Sequence, residues 1–417
     1  MPNLSPVWTR STNIIVAKGE GSYLYDIEGN AYLDFTSGIG VTNTGHCHPR
    51  VVEAIRKQAG LLLHGQAAIV YHQPMLELVE ELKTIVPKSI DGFFFSNSGA
   101  EAVEGAIKLA RHATKKPNII VFQGSFHGRT VGTMALTTSK TIYRSGYQPL
   151  MPGVAVAPYP YSYRYGWSDE QTSQWCLEEL EWLLHSQTAP FETAAILIES
   201  VLGEGGYVVP PKSFMQGLRE ICTKNEILLI CDEIQSGFGR TGKWFAFEHF
   251  DIVPDIITCA KGLASGMPIS GVFSSLEIMK KWIPGSHGGT YGGNAVAAAA
   301  ATATIQAMRD EKMLENAQER GRQMINGLKS LQKKYAVIGD VRGIGLMIAI
   351  EFRDAKRKPD ADTTKAVIEA CKRRNLLLLN CGTWNNNIRI IPPINVKEKE
   401  IEKALAIIED ALKEVAG

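Results

Sequence analysis

The sequence predicts an α/β chain built on a mostly parallel sheet, with a smaller α+β part formed by its two ends. Three observations carry this. The chain has 417 residues, more than one core usually supports, so one large and one smaller unit are expected. From about Pro49 to Asp310, short apolar runs alternate with helical periodicity, the pattern of strands joined by covering helices. Several of those runs are apolar throughout rather than alternating, as strands buried on both faces are. They are Gly92–Phe95, Ile119–Phe122, Ala194–Ile198, Ile227–Cys231, Ile256–Cys259 and Ile269–Phe273.

The ends read differently. Between Ile14 and Ser37, apolar residues alternate with turn signals such as Asp26-Ile27-Glu28-Gly29-Asn30, which predicts short antiparallel strands. An alanine-rich helix is expected from Asn294, its N-cap, to Met308, packed closely on neighbours. After Met313 come a helix, a strand over Gly345–Phe352, a further helix and a last one over Lys397–Val415. The expected division is a large domain over 49–310 and a small domain made of 1–48 and 311–417.

Composition excludes several classes. A net charge of +1 offers no basic field for nucleic acid or an anionic membrane, so any anion site must be local. The seven cysteines lack a Cys-x-x-Cys pair and read as buried or free thiols of a reducing compartment. Residues Met1–Arg10 carry no targeting pattern, and no apolar run approaches a membrane span. A cytoplasmic protein is expected. His46-Cys47-His48 has no distant partners in metal-ligand spacing, so no metal is assigned.

In open α/β sheets, ligands bind beyond the carboxyl ends of the strands. Four runs end in polar groups: Ser96-Asn97-Ser98-Gly99, Glu199, Asp232-Glu233 and Lys261-Gly262. Any one of these has an ordinary explanation, since loops are polar; together they point to one edge. Ser98 and Glu101 have capping-box spacing ahead of a helix, and Gly99 lets a phosphate approach the exposed amides. Asp232 closes an apolar strand and needs a cation, such as a protonated pyridine nitrogen, or else a structural ion pair. Lys261 also follows an apolar strand; desolvation there makes an amine nucleophilic. Gly237 to Lys243 matches G-x-x-x-x-G-K, but Trp244 stands where a phosphate loop needs Ser or Thr. Phe126-His127-Gly128-Arg129 offers an aromatic face and a guanidinium for a carboxylate. Arg389, inside an apolar run, needs an anion, and Glu204 in Gly203-Glu204-Gly205-Gly206 is a possible partner.

With these residues assembled, the chain resembles the class III (ω-amino acid) aminotransferases of the pyridoxal-phosphate fold type I group. The motifs that carry the resemblance span nearly the whole sequence: Gly21–Asp34, Asn43-Thr44-Gly45-His46, Asn97–Glu101, Phe126–Thr130, Asp232–Gly242, Lys261, Gly289–Asn294 and Arg389–Pro393. Within the group it looks most like 4-aminobutyrate aminotransferases and their acetylornithine and ornithine relatives.

The resemblance implies pyridoxal 5′-phosphate held by Lys261 as a Schiff base, with Asp232 on the ring nitrogen and Gln235 on the phenolic oxygen. It implies Phe126 and Ile234 on the two ring faces, His127 beside the cofactor, and Ser98, Gly99 and Ala100 on the phosphate. Thr290 would reach the partner's phosphate in a homodimer. Ile39 and Arg129 would meet the donor, Arg389 the α-carboxylate of 2-oxoglutarate, and Glu204 would cover Arg389 when no acceptor carboxylate is present. Transfer of an amino group from an ω-amino acid to 2-oxoglutarate is the implied reaction. Acetylornithine, ornithine or diamine transfer, and racemisation on the same fold, are the alternatives. One departure stands out: the family's Glu-Pro-x-Gln-Gly-Glu-Gly-Gly is here Glu199-Ser200-Val201-Leu202-Gly203-Glu204-Gly205-Gly206. Leu202 is expected to remove polar contacts near Glu199 and so to bear on donor specificity.

Overall fold

The computed structural model describes residues 3–417; Met1 and Pro2, which open the expected N-terminal segment and leader-free stretch, lie outside the described residues. Its centre is a seven-stranded sheet of β4 (Gly92–Ser96), β5 (Asn118–Phe122), β6 (Val154–Ala157), β7 (Thr193–Glu199), β8 (Leu228–Asp232), β9 (Ile256–Cys259) and β10 (Ser270–Ser274), where β1 to β3 are the N-terminal strands given below. The spatial order is β4-β10-β9-β8-β7-β5-β6. Only β10 runs against its neighbours; β6, β5, β7, β8 and β9 pair in parallel. The apolar runs therefore sit where their composition requires, buried on both faces under helices. All of β7 is buried.

Two small sheets flank this centre. The first joins β1 (Val16–Glu20), β2 (Tyr23–Asp26) and β3 (Ala31–Asp34) to β13 (Leu376–Leu377). Because β13 pairs with β3, the two chain ends meet in one sheet. The second contains β11 (Ile338–Ile344), β12 (Met347–Phe352), β14 (Leu379–Cys381) and β15 (Asn387–Ile390). The strand expected from Gly345 starts two residues later, because Gly345 turns with φ of 55° and lies against the backbone of Thr241. The alanine-rich helix spans Ala295–Asp310, capped by Asn294 Oδ1 on the amides of Val296 and Ala297. Its methyl face is buried and packs on the helices Pro49–Ala59 and Gln73–Lys83. All seven cysteines are free thiols, and Cys47 alone is exposed.

The glycine-rich segment that mimics a phosphate loop is instead a buried structural turn. Lys243 donates to the carbonyl of Glu248. Arg240 is fully buried and has no carboxylate partner. Its guanidinium donates to the carbonyls of Leu346 and Pro392 and to Asn43 Oδ1. Asn43 in turn donates to the Phe238 carbonyl at 2.7 Å. Burial lowers the Arg240 pKa to about 10, so the cation is retained at neutral pH.

Arg240→Met should leave these oxygens without a donor in a dry interior. The expected loss is roughly 3 kcal/mol, seen as a lower thermal midpoint of the cofactor-free protein; a midpoint equal to wild type would contradict this account.

Candidate active site

One cavity of about 380 Å³ opens at the carboxyl ends of β4, β5, β7, β8 and β9, and the turn into β10 closes it. Its walls include Asn97–Ala100, Phe126–Gly128, Glu199, Glu204, Asp232, Ile234–Ser236, Ala260, Lys261 and Gly266–Ile269. The structure thus brings together Ser98, Gly99, Ala100, Phe126, His127, Glu204, Asp232, Ile234, Gln235 and Lys261. It does not put Ile39, Arg129, Thr290 or Arg389 in the wall. Arg389 lies just behind Glu204; Ile39 and Thr290 are surface residues of this chain.

Local structure explains each position. Glu199 and Asp232 are the last residues of adjacent parallel strands and stand in register, so both side chains meet the same face. Glu233, one residue on, faces the opposite way. There its carboxyl accepts from Ser200, Ser236 and the amides of Ala246 and Phe247. Asp232 accepts from the Ile234 amide at 3.1 Å and meets His127 Nδ1 at 2.7 Å. Ser98 caps the helix Gly99–Thr114 through a full capping box with Glu101. That box occupies the amides of Ser98 and Glu101 and leaves those of Gly99 and Ala100 at the cavity for an anion. A Cβ at Gly99 would lie 3.0 Å from Ile234 Cδ1, so a side chain there would crowd Ile234.

Lys261 has a strained φ of 39°, as functional positions often do. Burial lowers its pKa to about 8, with Glu204 opposing. An amine that titrates there has a far larger neutral fraction at physiological pH than an ordinary lysine, though the protonated form is still the majority. Burial pushes the Glu199 carboxyl up to about 7; His127 lowers it and Asp232 raises it. Burial would also raise Glu204, but Arg389 outweighs it and the net direction is down. The Glu204 carboxylate is hydrogen-bonded to Arg389 Nη1, both side chains being buried.

Other residues were not singled out from sequence. Val41, Val201, Met267 and Pro268 supply the apolar wall, and no local pattern marks them apart from other apolar residues. Lys140 donates to Asn385 Oδ1 at 2.5 Å. Burial lowers its pKa and the charge of nearby Glu204 opposes this; its position beside the Glu204–Arg389 pair follows from a loop the sequence leaves undefined. Arg129 lies over the Tyr143 ring at 4.6 Å and the Phe126 ring at 5.9 Å. The expectation for Leu202 is corrected: it is buried, brackets Val208 by two backbone hydrogen bonds and packs toward Gly124 and Gly205. Val201, not Leu202, faces the cavity.

The residues fit the cofactor that the motifs imply. Among the described residues, buried Gln235 Oε1 and His127 Nε2 have no hydrogen-bond partner, which suits a polar guest in the cavity they line. A carboxylate floor, an anion-binding helix start, an aromatic wall and a desolvated amine match a flat, cationic-ringed phosphate ester.

Comparison with known proteins agrees. The family model for class-III aminotransferases matches residues 4–412. The 5-aminovalerate aminotransferase DavT of Pseudomonas aeruginosa is 41% identical over 97% of this chain and 94% of its own length. The 4-aminobutyrate aminotransferase GabT of Escherichia coli is 40% identical over 96% and 94%. An alanine/serine racemase of Pyrococcus horikoshii is 37% identical over 96% and 86%. A pyridoxal-phosphate-bound amine transaminase from an uncultivated Pseudomonas species superposes with a TM-score of 0.94 at 28% identity, covering 100% of this chain and 99% of that one. With that fold and this cavity, the chain belongs to the class III aminotransferases and is a pyridoxal-phosphate-dependent enzyme that moves an amino group between small molecules.

Proposed function

We propose that the amino donor is an ω-amino acid of the 4-aminobutyrate or 5-aminovalerate type and the acceptor 2-oxoglutarate, in two alternating half-reactions. The observation that carries this reading is the Glu204–Arg389 pair, with Glu204 in the cavity wall and Arg389 hydrogen-bonded just behind it. An ω-amino acid has one carboxylate, distant from its amine, whereas 2-oxoglutarate has two. A guanidinium covered by a movable carboxylate serves both: Glu204 neutralises Arg389 for the first, then yields to the acceptor's α-carboxylate. Leaving Arg389 buried without either anion would be costly. The names of the relatives in Pseudomonas aeruginosa and Escherichia coli support the same donor class.

Pyridoxal phosphate, when bound, supplies an electron sink. The chain supplies the rest. In this reading Lys261 holds the cofactor and moves a proton at the carbon bearing the amino group, for which its lowered pKa suits it. Asp232, braced by His127 and the Ile234 amide, pairs with the ring nitrogen; Gln235 donates to the phenolic oxygen. Ser98, Gly99 and Ala100 hold the phosphate, and Phe126 and Ile234 enclose the ring. Arg129 receives the donor carboxylate and Ile39 borders its path. Residues 49–310 form the cofactor-binding domain, with 1–48 and 311–417 as the smaller domain.

The working unit in this reading is a homodimer in which Thr290 completes the partner's phosphate site. Support comes from exposed apolar residues on the loop whose Leu63 and His64 meet Asn294 and Tyr291. Ile69 and Tyr71 are 80% and 82% exposed, and the Tyr291 ring meets His64 at 5.3 Å. Patches of this kind mark interfaces. No helix among the described residues is long and apolar enough to cross a membrane; a cytoplasmic location is proposed from the free thiols.

Racemisation is the second reading, favoured by the Pyrococcus horikoshii relative. Mixing purified protein with 4-aminobutyrate and 2-oxoglutarate should yield glutamate; loss of chirality from alanine or serine without any keto acid would replace the first reading with the second. Lys261→Ala should abolish the visible absorbance of lysine-linked cofactor and lower turnover by at least about a thousandfold. Retention of that band would remove Lys261 from its role. Arg389→Ala should raise the 2-oxoglutarate KM by about a hundredfold and change the 4-aminobutyrate KM far less. Subunits carrying Thr290→Ala and Lys261→Ala, each impaired alone, should regain activity when mixed and re-equilibrated, because the hybrid holds one intact site. Failure to complement would place Thr290 in its own subunit's site or in none.

A further inference from the structure

We propose that Glu199 is a positioning residue that ties the Phe126 loop to the Gly203–Gly206 turn, so that the aromatic wall and the Glu204 cover are set as one unit. The two loops leave adjacent strands, β5 and β7, and already pack together where Leu202 and Gly205 meet Gly124; Glu199 adds a hydrogen-bonded tie between them at the cavity. Glu199 Oε1 accepts from the Phe126 amide at 2.8 Å, and Oε2 accepts from the Gly203 amide at 2.8 Å. Its side chain is buried in the cavity wall. The carboxyl is thus spent on two backbone donors, one from each loop. His127, Asp232 and Lys261 are its charged or titratable neighbours in the site, and the Tyr159 hydroxyl bonds its backbone carbonyl.

The surroundings are fitted to this clamp. A Cβ at residue 203 would lie 2.9 Å from Glu199 Oε2 and 3.2 Å from Gln235 Nε2, so a side chain there would push on the Glu199 carboxyl. Gly203 is followed at once by Glu204, whose carbonyl accepts from Gly382 at 2.8 Å. At the far end, Arg342 Nε and Nη2 both donate to the Gly206 carbonyl, at 3.0 and 2.6 Å. With its backbone held at both ends, the turn leaves the Glu204 side chain as the element free to move. On the other loop, the Phe126 ring meets Tyr143 edge-on at 5.3 Å, and Arg129 lies over both rings. Only an acceptor-only group can hold two amides this way. In glutamine one oxygen accepts, but the NH₂ faces the second amide donor to donor.

This inference rests on the reading of Glu204 as a movable cover for Arg389. The test compares Glu199→Gln, Glu204→Gln and the double variant as holoenzymes, by visible circular dichroism of bound pyridoxal phosphate and by KM and kcat for 4-aminobutyrate and 2-oxoglutarate. Glu199→Gln should reduce the cofactor's dichroism, raise the 2-oxoglutarate KM by about tenfold, and combine with Glu204→Gln non-additively, as residues sharing one element do. Gly203→Ala, which crowds the same oxygen without removing the carboxyl, should shift the dichroism in the same direction and serves if the glutamine variant fails to fold. Unchanged dichroism in both variants, or effects that simply multiply in the double variant, would overturn the clamp. A silent Glu204→Gln, with the dichroism change of Glu199→Gln intact, would overturn the cover reading alone.

Discussion

A single buried cation holds the parts of this molecule in relation. Arg240 reaches Asn43 near the start of the chain and the carbonyls of Leu346 and Pro392 near its end, from a turn that leaves the central sheet. Neutral oxygens, not a carboxylate, accept from its two Nη atoms. An ion pair would need only one partner, whereas a guanidinium shared among carbonyls requires several backbones at once. Asn43 extends that requirement, since its Nδ2 crowds against Gly262 beside Lys261.

The segment from Asp232 to Gly242 therefore does three separate jobs with three charged residues. Asp232 turns into the cavity, Glu233 turns back to gather the Ala246 and Phe247 amides, and Arg240 reaches the other sheets. Strand alternation separates the first two, and a glycine-rich turn releases the third. The likeness to a phosphate loop is a by-product of that turn: the glycines serve close backbone packing, and Lys243 is used on a carbonyl.

The cavity is kept electrostatically balanced by burial acting in opposite directions. Desolvation lowers Lys261 to about 8 and raises Glu199 to about 7, bringing an amine and a carboxyl toward neutrality. The Glu204–Arg389 pair stays charged because each supplies the other's counterion. Such a site favours a guest bearing both a phosphate and a protonated ring. Leu202 lies outside this balance, on the packed side of its turn, so the departure from the family's glutamine changes the support of the Glu204 loop rather than the lining.

The sequence by itself determined the sheet, the edge and the cofactor class. Short apolar runs without alternation, separated by helical periodicity, fit strands covered on both faces, and polar residues at their carboxyl ends converge wherever such strands are parallel. Ser98, Gly99, Glu199, Asp232 and Lys261 were legible for that reason, and Phe126 as an aromatic close behind a strand; Ala100 and Gln235 came only with the resemblance to the family. What only the tertiary structure decided is which side each loop residue faces. The bridge from Glu199 to both Phe126 and Gly203, the approach of Lys140 to Glu204, the outward Leu202 and the shared grip of Arg240 all join residues far apart in the chain. Local pattern encodes the period of a strand or helix; it does not encode the path of a turn, whose direction is set by the neighbours it meets.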